Sequence, residues 1–278
     1  MSVIVFTIIV LLGSYFAGLL GSLTGLGGGV VIIPMLTLAL HVDIHYAIGA
    51  SLVSVIATSS GSAATFVREG ITNMRLGMFL EIATTIGALT GALLAIYIPP
   101  QFISILFGII LILSALLSLK NKVPFVAKEK SYLGEKLRLD SVYPTSDGQV
   151  SYGIDNIGGG FFMMVFAGVI SGLLGIGSGA LKVIAMDTIM KVPFKVSTTT
   201  SNFMIGVTAS ASAVVYLQRG YISPGLSMPV VIGVLLGAIT GSKILVHTTS
   251  SKWLRYIFAI VVAFLAIQMI NKGIKGNL

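Results

Sequence analysis

Cysteine is absent from all 278 residues, which excludes disulfide cross-links and thiolate chemistry. Charge is almost as scarce: Lys, Arg, Asp and Glu make up 9% of the chain, against roughly 25% in soluble domains. A chain this short of polar side chains cannot wet the surface of a soluble globule. With three histidines and no cysteine, a structural metal site is not expected. No Ser–His or paired-carboxylate constellation lies within the apolar runs, so an enzyme would lack both nucleophile and base. No catalytic residue, metal or cofactor is expected.

Apolar side chains take the space that charge leaves. Hydrophobic residues form 55% of the chain, with a mean hydropathy of +1.02, the composition of an all-α integral membrane protein. The net charge of +8 collects in loops beside apolar runs, as the positive-inside rule expects, so nucleic acid is not a partner. No cleavage signal follows the first apolar run, and Met1 to Leu20 reads as a retained segment.

The chain is organised around Gly18 to Leu40, which is apolar enough for lipid yet interrupted by Gly25, Gly27, Gly28 and Gly29. Glycines in a helix interior cost about 1 kcal/mol each. Broken backbone inside hydrocarbon is tolerated only where protein buries it or it lines a wet cavity. The pattern returns 150 positions on: Gly175, Gly177 and Gly179 match Gly25, Gly27 and Gly29, Ser201 matches Ser51, Thr208 matches Thr58, and GAITG from Gly237 matches GALTG from Gly87. The repeat predicts eight transmembrane segments in two four-segment units, residues 1–119 and 161–278. Each unit has a glycine-broken first helix or a re-entrant hairpin. Parallel and inverted repeats both fit the loop charges, with a slight lean to inverted ones.

Residues 120–160 carry six Lys or Arg and cannot span; they form a cytoplasmic polar insert. LRLDSVY and QVSYGI on either side of PTSDG predict a small β-hairpin. Such a composition cannot enter lipid, so the insert is expected to be dispensable for the membrane core.

The stretch GLLGSLTGLGGGVVIIP, the AIGASL that opens the following segment, the small residues of the next, and the repetition of all three resemble the TauE/SafE family of sulfite exporters. The resemblance implies a multi-pass permease of the cytoplasmic membrane for sulfite, organosulfonates or related small anions, with a homodimer left open. The chain departs from the family pattern in its second half, where GIGSG replaces GxGGG, Ile184 stands opposite Pro34, and Lys182 and Asp187 put charges in an apolar helix.

Broken helices turn uncapped N–H groups toward anions near the bilayer midplane. Gly27, Gly28 and Gly29 with Gly177, Ser178 and Gly179 are therefore the candidate substrate site, and tight helix packing is the plainer alternative. Lys182, three residues past the second break, is expected to bind the anion's charge or else to pair with Asp187. Ser51, Thr200, Ser201 and Asn202 could add donors, whereas Thr58, Ser60, Ser62 and their repeats read as glue between helices. Glu81 and Asp187 are the acids well inside apolar runs and the candidates for proton coupling. Lys243 reads as snorkelling to the surface. The readings left open are a carrier for a small anion, an anion channel and a carrier for a small carboxylate.

Overall fold

A computed structural model of the protein describes residues 3–24, 28–119, 132–145, 148–247 and 251–276. Gly25 and Gly27 lie outside them. The chain is helical apart from one strand pair. The first half contains α1 (Val3–Thr24), α2 (Gly29–Pro34) continued by a π-helical turn (Met35–Ala39), α3 (Ile44–Arg68), α4 (Met74–Ala95) and α5 (Pro100–Leu119). After a short α6 (Tyr132–Lys136) and the strands β1 (Ser141–Thr145) and β2 (Gly148–Tyr152), the second half has α7 (Ile157–Leu174), α8 (Gly179–Ile184) with its own π turn (Ala185–Ile189), α9 (Phe194–Gln218), α10 (Pro224–His247) and α11 (Ser251–Lys275). The bounds of α2, α3 and both π turns recur 150 positions on, in α8, α9 and the second π turn.

Among the described residues, α1, α3, α4, α7 and α9 are long and apolar enough to cross a membrane, and Gly29–Ala39, Pro100–Leu116 and Pro224–Thr240 are shorter apolar stretches. Ile4, Ile8, Leu12 and Phe16 form an exposed stripe down α1, and Phe162 and Phe166, equivalent to Leu12 and Phe16, are exposed on α7. Such stripes suit lipid contact.

Lipid supplies no hydrophobic force between helices, so packing rests on close approach of backbones. Glycine supplies that approach here. A methyl group on Gly87 or Gly91 of α4 would strike the carbonyl oxygens of Val165 and Val169 on α7, and one on Gly237 of α10 would strike that of Tyr15 on α1. Contacts advance together along each pair, so α4 runs parallel to α7 and α1 to α10. Each half thus packs its first helix against the other half's fourth. In contrast, Gly108 meets Ala266 and Ile270 while Gly273 meets Gln101 and Ile105, which makes α5 and α11 antiparallel. α3 and α9 are antiparallel as well, with Gly49 against Tyr221 and Gly206 against Ser59.

Each glycine break reverses the chain. Gly13 of α1 meets Met35, and Gly160 of α7 meets Met190, so each first helix and the short helix after it form an antiparallel hairpin. Two half-helices in line are excluded.

The insert is rooted in the core, contrary to expectation. β1 and β2 pair antiparallel with Tyr143 opposite Val150 and Pro144 opposite Gln149, so pairing runs into the stretch expected to be turn. Leu139, Tyr152 and Ile154 are buried against Leu76, Leu80, Met186 and Met190. Asn73 caps α4 by accepting from the Leu76 N–H at 3.0 Å, and its amide donates to the Leu139 carbonyl at 2.8 Å and the Tyr152 hydroxyl at 2.9 Å. Burial pushes the Tyr152 phenol up to about 12.

The antiparallel crossing of α3 and α9 is open to direct measurement. An ideal Cβ on Gly206 lies 3.5 Å from Ser59 Cβ, within disulfide range. We expect a Ser59→Cys, Gly206→Cys double variant of this cysteine-free chain to cross-link within one molecule on mild oxidation, as a band of altered mobility. Helices crossing in parallel would leave it reduced.

Candidate functional site

The two hairpin tips meet against α3 and α9. A Cβ on Gly29 would contact Ser51 Oγ at 2.5 Å, Val55 at 3.1 Å and the Gly175 carbonyl of the other tip at 3.4 Å. Gly175 and Gly177 have φ of +64° and +72°, and Ser178 has +44°, so this tip turns through left-handed backbone that favours glycine. Serine hydroxyls tie the backbone of this hairpin at the turn carbonyl of Gly175, at Gly179 in the first turn of α8 and at Ala167 within α7. Ser51 donates to the Gly175 oxygen at 2.9 Å, Ser201 to Gly179 at 3.2 Å and Ser178 to Ala167 at 2.6 Å. The matched Ser51 and Ser201 therefore hold tip backbone and do not present their protons to the space between the tips.

Val55 and Ile205, equivalent in the two halves, form an apolar layer over the tips: Gly177 faces both side chains and Gly179 faces Ile205. Beyond that layer a cleft of about 330 Å³ opens between α3 and α9, lined by Ser59, Ser60, Gly206 and Ser210 among others. Ser60 and Ser210 donate within their own helices, to Ile56 and Gly206, as does Thr58 to Ser54. The Ser60 and Ser210 hydroxyls line the cleft. On the other side, a small gap separates Val30 from Ser178, Gly179 and Ala180 and is flanked by Ser114 of α5.

Lys182 does not point into that gap. It is fully buried, and its Nζ donates to Thr208 Oγ1 at 2.5 Å. Thr208 in turn donates to Glu81 Oε1 at 2.6 Å. Glu81 is 7% exposed and its Oε2 has no partner. The acid paired with Lys182 is thus Glu81, from α4, and not Asp187. Asp187 sits half-buried in the second π turn, where Thr37 stands in the first half.

The remaining candidates scatter. Thr200 accepts from the Asn73 N–H at 3.1 Å, which ties α9 to the start of α4, and Asn202 is half-buried one residue past Ser201. Gly28 packs against Val234. Gly27 lies outside the described residues, as does the Lys243 side chain. His41 and His45 form no metal pair, since the ring nitrogens of His45 are engaged by Asp43 at 3.1 Å and the Ala95 carbonyl at 3.2 Å. Thr208, read as glue between helices, is that, but sequence reading missed that the groups it joins are Lys182 and Glu81. The available signal was that Lys182 and Glu81 both depart from the repeat, with Ile32 and Val231 at the equivalent positions.

Residues 10–269 match the family model described as sulfite exporter TauE/SafE. The chain belongs to the TauE/SafE family. TauE/SafE relatives include two probable membrane transporter proteins of Bacillus subtilis. YunE is 31% identical over 97% of this chain and 98% of its own length; YdhB is 29% identical over 84% and 89%. A probable membrane transporter protein of Methanocaldococcus jannaschii, MJ0441, is 24% identical over 92% of each. No solved structure matches the chain. With its apolar helices, this TauE/SafE protein is a multi-pass membrane transporter.

Removing one member of a buried charge pair leaves the other uncompensated, at a cost of about 3–5 kcal/mol. We expect Lys182→Met to lower the melting temperature of the detergent-solubilised protein and Lys182→Met with Glu81→Gln to recover most of the loss. Adding Asp187→Asn to Lys182→Met should restore nothing.

Proposed function

We propose that this chain is a secondary carrier for a small anion, with sulfite, an organosulfonate or a related sulfur oxyanion as the substrate class. The observation that carries the reading is the meeting of the two glycine tips, Gly29 against Gly175, under the Val55 and Ile205 layer. The family's description as sulfite exporters supports the sulfur oxyanion.

In this reading the chain lies in the cytoplasmic membrane as eight segments in two inverted repeats, related by an axis in the membrane plane. Antiparallel α3/α9 and α5/α11 support that arrangement, because a repeat axis along the helices would make equivalent helices parallel. The hairpins then enter from opposite faces, and the gap beside Gly179 and Ala180, at about 10 Å³ room for one water as it stands, widens to seat the anion against first-turn N–H groups that lack helical acceptors. Lys182, one turn along α8, adds positive potential without direct contact. Val55 and Ile205 separate the seat from the α3/α9 cleft. Rocking of one repeat against the other would expose the seat to each side in turn, as in other inverted-repeat carriers.

Proteoliposomes loaded with unlabelled sulfite should take up labelled sulfite saturably and show counterflow. Flux that rises linearly and never chases would instead mark an anion channel, and competition by small carboxylates alone would move the substrate to that class.

A further inference from the structure

A buried carboxylate next to a buried ammonium forms a locally neutral pair, and this one has room for a proton. Glu81 of α4, Thr208 of α9 and Lys182 of α8 form a single chain of hydrogen bonds in which Oε1 accepts from Thr208 and Thr85. Oε2 accepts nothing although it is buried. An ionised carboxylate oxygen left bare in a low-dielectric interior is costly; a proton on Oε2 removes the charge, and a neutral unpaired hydroxyl costs less than an unpaired charge.

The surroundings leave few competitors for the role. Lys182 is the charged group coupled to Glu81. α7, packed along α4, carries no ionisable residue between Ile157 and Leu174. α9 offers Thr208 here, its Lys195 in the first turn and, two turns beyond Thr208, Tyr216, whose hydroxyl donates to the Gly172 carbonyl, and the π turn after α8 holds Asp187 further along. The other half has Ile32, Thr58 and Val231 at the equivalent positions, so a proton site of this kind belongs to one hairpin alone.

We propose that Glu81 binds a proton together with the transported anion, so that transport is proton–anion symport. This rests on the anion-carrier reading above. The charge balance fixes the direction of coupling. With Glu81 ionised, the pair is neutral and offers an entering anion nothing net. A proton taken from water onto Oε2 leaves Lys182, whose backbone is about 5 Å of helix rise from Gly179 and whose Nζ rests on Thr208, as an uncompensated cation. A monovalent anion in the gap then restores neutrality. Each ligand strengthens the other's binding by the same factor. Proton–anion exchange would require the opposite linkage.

The test measures the affinity of purified protein for methanesulfonate, a monoanion that does not titrate, from about pH 5 to about pH 8. Affinity is expected to fall by up to about tenfold per pH unit on the alkaline side, the slope for one linked proton. In Glu81→Gln the affinity at the acidic end should be close to the wild-type value, and in Glu81→Gln with Lys182→Met, which removes both titratable groups of the pair, it should be independent of pH. Infrared difference spectra on a pH step provide a second readout, a protonated-carboxyl band in wild type that Glu81→Gln lacks. Wild-type affinity that is flat with pH, or that rises with it, overturns symport whether or not the variant folds. If wild type shows the Glu81 band but binds neither methanesulfonate nor sulfite, the anion-carrier reading fails and symport with it, while the proton site stands. Anion binding without the band removes the proton site and leaves the carrier.

Discussion

A helix that reverses inside an apolar protein leaves carbonyls and N–H groups without helical partners, and hydrocarbon offers them none. The centre of this fold answers that requirement. Ser51, Ser178 and Ser201 each give their proton to a carbonyl of the second hairpin or its preceding helix. Glycine at 175 and 177 supplies the left-handed backbone of the turn. α3 and α9 must therefore cross where the tips are, and their antiparallel course follows the opposed entry of the two hairpins.

Much of this was legible in the sequence. The 150-residue offset located equivalent helices, and the glycine clusters marked the helix breaks, because glycines cost helix stability in apolar surroundings, but whether the chain continues or reverses there was left open. Helix direction was not legible, since it is fixed by which glycine meets which carbonyl across distant segments, as at Gly87 with Val165 and Gly237 with Tyr15. The insert misled for a related reason. Composition anticipated the exposed Lys136 and Arg138 but not the buried face of Leu139, Tyr152 and Ile154, which Asn73 anchors to α4.

The charged residues illustrate what one-dimensional reading loses. Asp187 is near Lys182 in the chain and was the acid offered as the alternative to a bound anion; Glu81, on another helix of the other half, is its partner in space. Their common departure from the repeat pattern held the information. A lone buried charge in either half would be destabilising, so changes at Ile32-equivalent and Val231-equivalent positions have to occur as a pair.

Packing α1 against α10 and α7 against α4 bears on how such a chain is made. During synthesis the first hairpin emerges without the helix it will finally rest on, because α10 lies in the last quarter of the chain. Until then its glycine face is covered by lipid or by the insertion machinery, and the first half cannot mature alone. The same exchange describes an ancestor of half the length: one unit would complete its fold only by lending its first helix to a second copy inserted upside down. Fusion of two such genes would keep every contact and remove the search for a partner.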